Sequence, residues 1–511
     1  MRNWTVQRLC LAFAFGLGGA SLATVTACGD TLSEPLPLVA DSGTTPVKMT
    51  RTVDAAAGGK RDARATDASR PDATDSARSD ATGDARAGDG APGFEADAPR
   101  NHGDASSTYP AFPPDVPSIQ SQGGPTLESP QIVTVTWPDE QNAAALEAFG
   151  DDLGTSSYWA ATTHEYGVGA ARSGPMNHVR LAEQPINAWT DVALEAWLTD
   201  HAANYAKYGL PAPNGSVIYT LYLSTATDLS VSGSDGCQQG IGGYHSSVVL
   251  GGGDVSYAVI LQCDGAVLNE ATSSASHELV EAATDPHPTD IAGYYGFDGD
   301  HLAWDVFQSF QDEVADACEF YYGPNGAFYT QAFPVVLPAD AGADGGDAGF
   351  VLDAGMTSYS VQRTWSNVSA AGGHHPCVPA MAGPYYAVTP LAMESVTMNL
   401  SGIGGASRAQ SLGYNIAKGA TKTFAVGFHS DAPTSGPWTI SAREGNPVLG
   451  GSQTSHLSVS IDVPTGANGD ISYVTVTVNA VDTSMDGELL TIVSQLPGGA
   501  RTYVPILIGN Q

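Results

Sequence analysis

Basic residues are what this chain most lacks: 20 Lys and Arg stand against 54 Asp and Glu, a formal net charge of −34. From position 101 onward, 9 basic residues face 41 acidic ones. Such a surface repels phosphate backbones, which excludes nucleic acid as a partner and leaves divalent cations compatible. Long apolar runs are also missing. After Leu22 no segment is long and apolar enough to span a bilayer, so membrane attachment would need an anchor. Cysteine is sparse, at 6 residues, and no two of the last four are spaced as CxxC. That spacing argues against a four-thiolate zinc site.

What is present begins with an export signal. Arg2 and Arg8 precede an apolar stretch from Leu9 to Leu22, and Val25-Thr26-Ala27-Cys28 resembles a bacterial lipobox. The signal is thus residues 1–28, with cleavage before Cys28, lipid on its thiol, and an exported protein anchored at the outer membrane or cell surface. Four cysteines then remain: Cys237, Cys263, Cys318 and Cys377. In an exported chain they read as two disulfides. Three connectivities are open, and the pairs close in sequence, Cys237–Cys263 and Cys318–Cys377, are favoured.

Residues 29–115 are rich in Ala, Asp, Gly, Arg, Ser and Thr and poor in large apolar side chains, the composition of a disordered tether. From 123 to 380 strand-like runs such as Ile132-Val133-Thr134-Val135-Thr136-Trp137 alternate with helical patterns, the amphipathic 191–208 among them. This stretch reads as an α+β domain with a low-complexity insertion at 339–355. Beyond 386, short alternating strands indicate an all-β, immunoglobulin-like sandwich to residue 511. It holds no cysteine and reads as a spacer or adhesive module.

The chemistry concentrates at His277-Glu278-Leu279-Val280-Glu281, followed by Thr284-Asp285-Pro286. On a helix, His277 and Glu281 share a face, and Pro286 ends that helix near Thr284. An imidazole and a carboxylate one turn apart suit a divalent metal, and Glu278 is placed as a general base. The pattern departs from HExxH, because Glu281 stands where a second His would be. A third ligand is expected downstream, where Glu313 resembles the distal Glu of gluzincins. His245, in a Gly-rich loop after Cys237, together with Asp285, Asp305 and Asp316, is expected to line the site. Zinc is the expected ion. Asp298-Gly299-Asp300 offers a calcium alternative without full EF-hand spacing. His374-His375 reads as a surface loop.

Several segments occur in an order that resembles the plant phosphate-induced (exordium-like) proteins. They are Gly124-Pro125, Tyr158-Trp159, Gly243-Tyr244-His245-Ser246, Tyr257-Ala258-Val259 up to Cys263, and Glu313-Val314-Ala315-Asp316-Ala317-Cys318. Bacterial exported relatives are more similar still, sharing Ser276 to Pro286, Trp304-Asp305, Glu313 to Cys318 and Trp365-Ser366-Asn367. The resemblance covers about 123–380. It implies an exported cell-surface scaffold, zincin-like where the His-Glu helix is kept. Two functions follow as expectations. One is an envelope lipoprotein hydrolysing peptides with a metal; the other is a non-catalytic surface protein binding glycan or protein.

Overall fold

The computed structural model describes residues 109–112, 114–250, 253–263, 265, 267–308, 312–322, 327–338, 350–399, 408–448, 455–482 and 486–510. The signal segment with Cys28, nearly all of the tether, and residues 339–349 of the insertion lie outside the described residues. Among the described residues no helix is long and apolar enough to cross a membrane.

The first domain is built on a five-stranded sheet. Its order is His178–Arg180, Gln131–Thr136, Val217–Tyr222, Gly253–Ile260, Gly243–Leu250. The first four strands are parallel, and the edge strand Gly243–Leu250 runs antiparallel to its neighbour. Successive side chains of a strand point to opposite faces, so a run buried throughout implies cover on both sides. Ile132, Ile218, Ala258 and Ile260 join one core with the helices Ala143–Leu153 and Leu268–Thr284. Val133, Val135, Tyr219, Val259 and Tyr244 join a second core with Leu194 and Leu198 of helix Asp191–Ala203. The domain is therefore a three-layer α/β arrangement.

Helix Leu268–Thr284 is enclosed, with every residue from Ala271 to Thr284 buried. Small side chains let its neighbours come close. Thr272 donates to the Ser360 carbonyl (2.8 Å) and Ser273 to the Ser360 hydroxyl (2.7 Å), both on strand Phe350–Gln362. That strand begins at Phe350, so the low-complexity insertion is shorter than 339–355 suggested. Order also starts before 123, because Ile119–Ser121 pairs with Tyr294–Phe297.

Both expected disulfides are present, Cys237–Cys263 and Cys318–Cys377. They fit a secreted protein. The second ties helix Asp316–Tyr322 to the strand Cys377–Val378, which pairs with Thr364–Trp365.

The C-terminal region is a two-sheet sandwich with four strands in one sheet and six in the other. Phe424, Val426 and Val474 meet Trp438, Leu490, Ile492 and Ile506 between the sheets. The spacer reading needs revision here. The alternate residues of the six-stranded sheet, Val396, Met398, Leu489, Val493, Tyr503 and Leu507, belong to the core of the first domain. Phe307 and Tyr321 each pack against Tyr503, with ring centroids 6.0 and 6.1 Å apart. The six-stranded sheet is thus a shared inner layer.

His301 clasps the start of the chain to this body. Its ring nitrogens lie 2.6 Å from Asp298 and 3.2 Å from Asp115, and Asp298 also accepts the Ser118 amide (3.0 Å). Burial opposes the charged ring, but the two carboxylates outweigh it and push His301 up to about 9. A raised folded pKa adds stability that is complete below the unfolded value and disappears as pH rises through the folded one. Unfolding free energy should therefore fall between pH 7 and 10. In His301→Gln that fall should be shallower, as read by denaturant titration at each pH.

Removing the second disulfide frees a loop of 59 residues, worth about 4 kcal/mol in the chain-entropy account. Cys318→Ser with Cys377→Ser should lower the urea midpoint accordingly.

Candidate metal centre

The central helix and the edge strand converge on one buried pocket of charge. Strand alternation decides which residue the edge strand contributes: Tyr244 packs on the far face of the sheet, so His245 faces the helix. Sequence reasoning assigned His245 to a loop, yet it lies within a strand and is 5 % exposed. The helix contributes His277, Glu278 and Glu281, and ends at Asp285 as Pro286 requires. The turn before helix Asp316–Tyr322 contributes Glu313, and that helix adds Asp316 and Glu319. None of these eight side chains is more than 5 % exposed.

Glu281 is held from behind. Its Oε1 accepts the backbone amides of Ala315 (2.9 Å) and Asp316 (3.0 Å). Its Oε2 then lies 3.0 Å from His277 Nε2 and 3.7 Å from His245 Nδ1. His277 is oriented too. Gln362 donates from Nε2 to the Ala315 carbonyl (2.8 Å), which turns its Oε1 toward His277 Nδ1 at 3.0 Å. An amide oxygen only accepts, so Nδ1 carries a hydrogen and Nε2 is the ring atom turned toward the carboxylates. Asp316 Oδ1 lies 3.5 Å from that nitrogen.

These spacings fit a metal. Donors bound to a tetrahedral ion at about 2.0–2.1 Å stand about 3.3 Å apart. The His277–Glu281 and His277–Asp316 separations, 3.0 and 3.5 Å, bracket that value. His277, Glu281 and Asp316 form one group that could hold an ion, and His245, Glu278 and Glu281 form another. Glu313, expected beside His277, belongs instead with His245 and Asp285. The reason is helical phase: Asp316 starts the helix whose amides hold Glu281, whereas Glu313 precedes it by a turn.

Charge balance points the same way. Between positions 114 and 380 the chain has four basic residues, Arg172, Arg180, Lys207 and Arg363. The first three are exposed. Arg363 lies over the Tyr329 ring at 4.1 Å and donates to the Pro379 carbonyl. Among the described residues from 114 to 380, Arg363 is thus the one Lys or Arg that is not exposed, against six buried carboxylates at the site. Burying anions at that density needs protons or cations as compensation.

The other expected residues lie apart from this group. Asp305 accepts the Phe297 amide (3.2 Å) and hydrogen-bonds Asp312. Burial raises both carboxyls; Asp305 raises Asp312 further, whereas the hydrogen bond from Asp312 lowers Asp305. Asp298 serves the His301 clasp instead of a calcium loop. His374 is exposed beside Asp431 (3.1 Å), as a surface loop requires, but His375 is buried and accepts the Cys377 amide (3.1 Å). Two residues escaped sequence reading, Gln362 and Glu319. Gln362 sits in an ordinary strand pattern and carried no signal. Glu319, three residues after Asp316, was legible as the same helix face.

Comparisons with known proteins add little. No family model and no curated protein matches the chain. Domains 4 and 5 of the S-layer protein SbsC align at 14% identity and a TM-score of 0.15, over 36% of this chain and 77% of that one. A Bacteroides ovatus GH5 xyloglucanase aligns at 18% identity and a TM-score of 0.12, over 19% and 17%. Scores this low leave both fold and function to the chain's own geometry.

Gly243 shows how tightly the site is packed. A Cβ there would stand 2.6 Å from Glu278 Oε1 and 2.9 Å from the Val259 carbonyl. Gly243→Ala should destabilise the protein by about 1–3 kcal/mol through overpacking, read as a lowered denaturation midpoint. Gly215→Ala, which meets nothing within 4 Å, is the control.

Proposed function

We propose that this chain is an exported, envelope-anchored protein of the exordium-like type whose first domain is a zincin-like, metal-dependent peptide hydrolase. The reading rests on one observation above others: His277 and Glu281 of the buried helix bring their donor atoms together with that of Asp316 from helix Asp316–Tyr322, with Glu278 on the same buried helix. In this assignment Asp316 is the third ligand, and Glu313 is not.

A divalent ion held there would supply Lewis acidity and make an attacking water more acidic. The protein's own part is proton transfer and positioning. Glu278 takes a proton from the water as its oxygen attacks the carbonyl carbon, and returns it to the amine nitrogen as the C–N bond breaks. The edge strand Gly243–Leu250 pairs on one side only among the described residues. An extended peptide adding to it would run past His245 toward the helix, a recurring mode of strand recognition. The lipid at Cys28 and the tether would hold the domain off the membrane, and the sandwich, immunoglobulin-like in this reading, would brace it.

A second reading has support of its own. With every donor at most 5 % exposed, the ion would be structural, and the protein a surface module binding glycan or protein. One experiment separates the two. The full chain, loaded with Zn²⁺, is incubated with a mixed peptide library, and Glu278→Gln is run beside it. Cleavage by the native chain, reduced about 10²–10⁴-fold in the variant at unchanged metal content, is the expected result. Bound zinc with no cleavage in either protein favours the structural ion. His277→Ala and Asp316→Asn should each lose zinc, measured by elemental analysis. Full zinc content in both variants would refute the ligand assignment.

A further inference from the structure

Glu281 Oε2 stands between two imidazoles, 3.0 Å from His277 Nε2 and 3.7 Å from His245 Nδ1. The proposed hydrolytic site accounts for only the first. His245 is oriented as firmly as His277: its Nε2 lies 3.1 Å from the Asp285 backbone carbonyl. A carbonyl only accepts, so Nε2 carries a hydrogen and Nδ1 is the ring atom turned toward the carboxylates. Glu313 Oε2 is 3.8 Å away on that side. A proton on Nδ1 or a divalent cation beside it would compensate these buried anionic oxygens, and a cation there takes Nδ1 and the carboxylates as its donors. The same arrangement therefore occurs twice, back to back, about one shared oxygen.

We propose that the centre is dinuclear. The second ion is held by His245, Asp285 and Glu313, whose donor atoms form a group disjoint from His277, Glu281 and Asp316, and Glu281 bridges the two. Paired hydrolytic ions sit about 3.5–4 Å apart, a spacing that one bridging carboxylate between facing imidazoles accommodates. Asp285 is fixed for this role, because its Oδ1 accepts the Gly293 amide at 2.8 Å. Gly293 itself cannot be larger: a Cβ there would stand 2.2 Å from the Thr284 carbonyl. One imidazole with two carboxylates is a harder donor set than a thiolate site and suits Mn²⁺ or Zn²⁺. Two divalent ions also offset four of the six buried carboxylate charges, where a single ion offsets two.

This inference rests on the metal-centre reading above, and its test separates the two. The full chain is stripped with a chelator, reloaded with Mn²⁺, and freed of excess metal. Metal per chain is then counted and the electron paramagnetic resonance spectrum recorded. Two ions per chain with an exchange-coupled signal are expected. His245→Gln and Glu313→Gln should each retain one ion and give an uncoupled signal, with circular dichroism matching the native chain. A single ion in the native chain overturns the dinuclear proposal and leaves the mononuclear centre standing. No ion at all overturns both. Two ions that survive both substitutions also overturn it, since the second would then lie elsewhere. Should either variant misfold, the native count and the presence or absence of coupling decide alone.

Discussion

A helix enclosed on every side must bring partners for whatever charge it carries, and the rest of this molecule is arranged around that requirement. His277, Glu278 and Glu281 lie within a fully buried stretch of helix Leu268–Thr284. All three side chains are buried away from bulk solvent, and each neighbouring element supplies a group that orients them. The Ala315 and Asp316 amides take Glu281, Gln362 takes His277, and the edge strand presents His245. Such outer contacts are what turns a sequence motif into a centre of defined geometry.

The scaffold beyond the centre serves the same end. The Cys318–Cys377 bridge joins the helix that begins with Asp316 to the strand pair just after Gln362, so two of the supporting groups are tied covalently. Behind them stand Trp304, Tyr321 and Trp365, packed against one another in tilted and edge-on contacts of 5.3–6.1 Å. The sandwich closes the back of this wall through Tyr503. Asn446 donates to the Phe307 carbonyl (2.6 Å), and Ser411 links to both Leu302 and Asp300. A β-module read as an appendage is thereby part of the cover over the first domain.

Some of this was legible beforehand. The helix end at Thr284 followed from Pro286, and the near-in-sequence cysteine pairs are the bonded ones. The sandwich strands were visible as alternating runs. Its role was less so, although the evidence was present in unbroken apolar stretches. Leu489-Leu490 and Tyr503 to Ile508 do not alternate with polar residues, and a strand with that pattern is covered on both faces. His245 was misplaced because the surrounding glycines suggested a loop. Gly243 is required for another reason, the close approach of Glu278.

What the sequence determined by itself was the local chemistry: a helix with His277, Glu278 and Glu281 in phase, an acidic chain short of counter-ions, and cysteines placed for two bridges. These follow from helical periodicity, composition and spacing, which act over a few residues. Only the tertiary structure decided which distant carboxylate meets His277, that His245 faces the same oxygen of Glu281, and that the sandwich is a structural layer. Those choices depend on strand order and on the rotational phase of helix Asp316–Tyr322 against Leu268–Thr284. Packing of elements far apart in the chain sets both, and no local pattern encodes them.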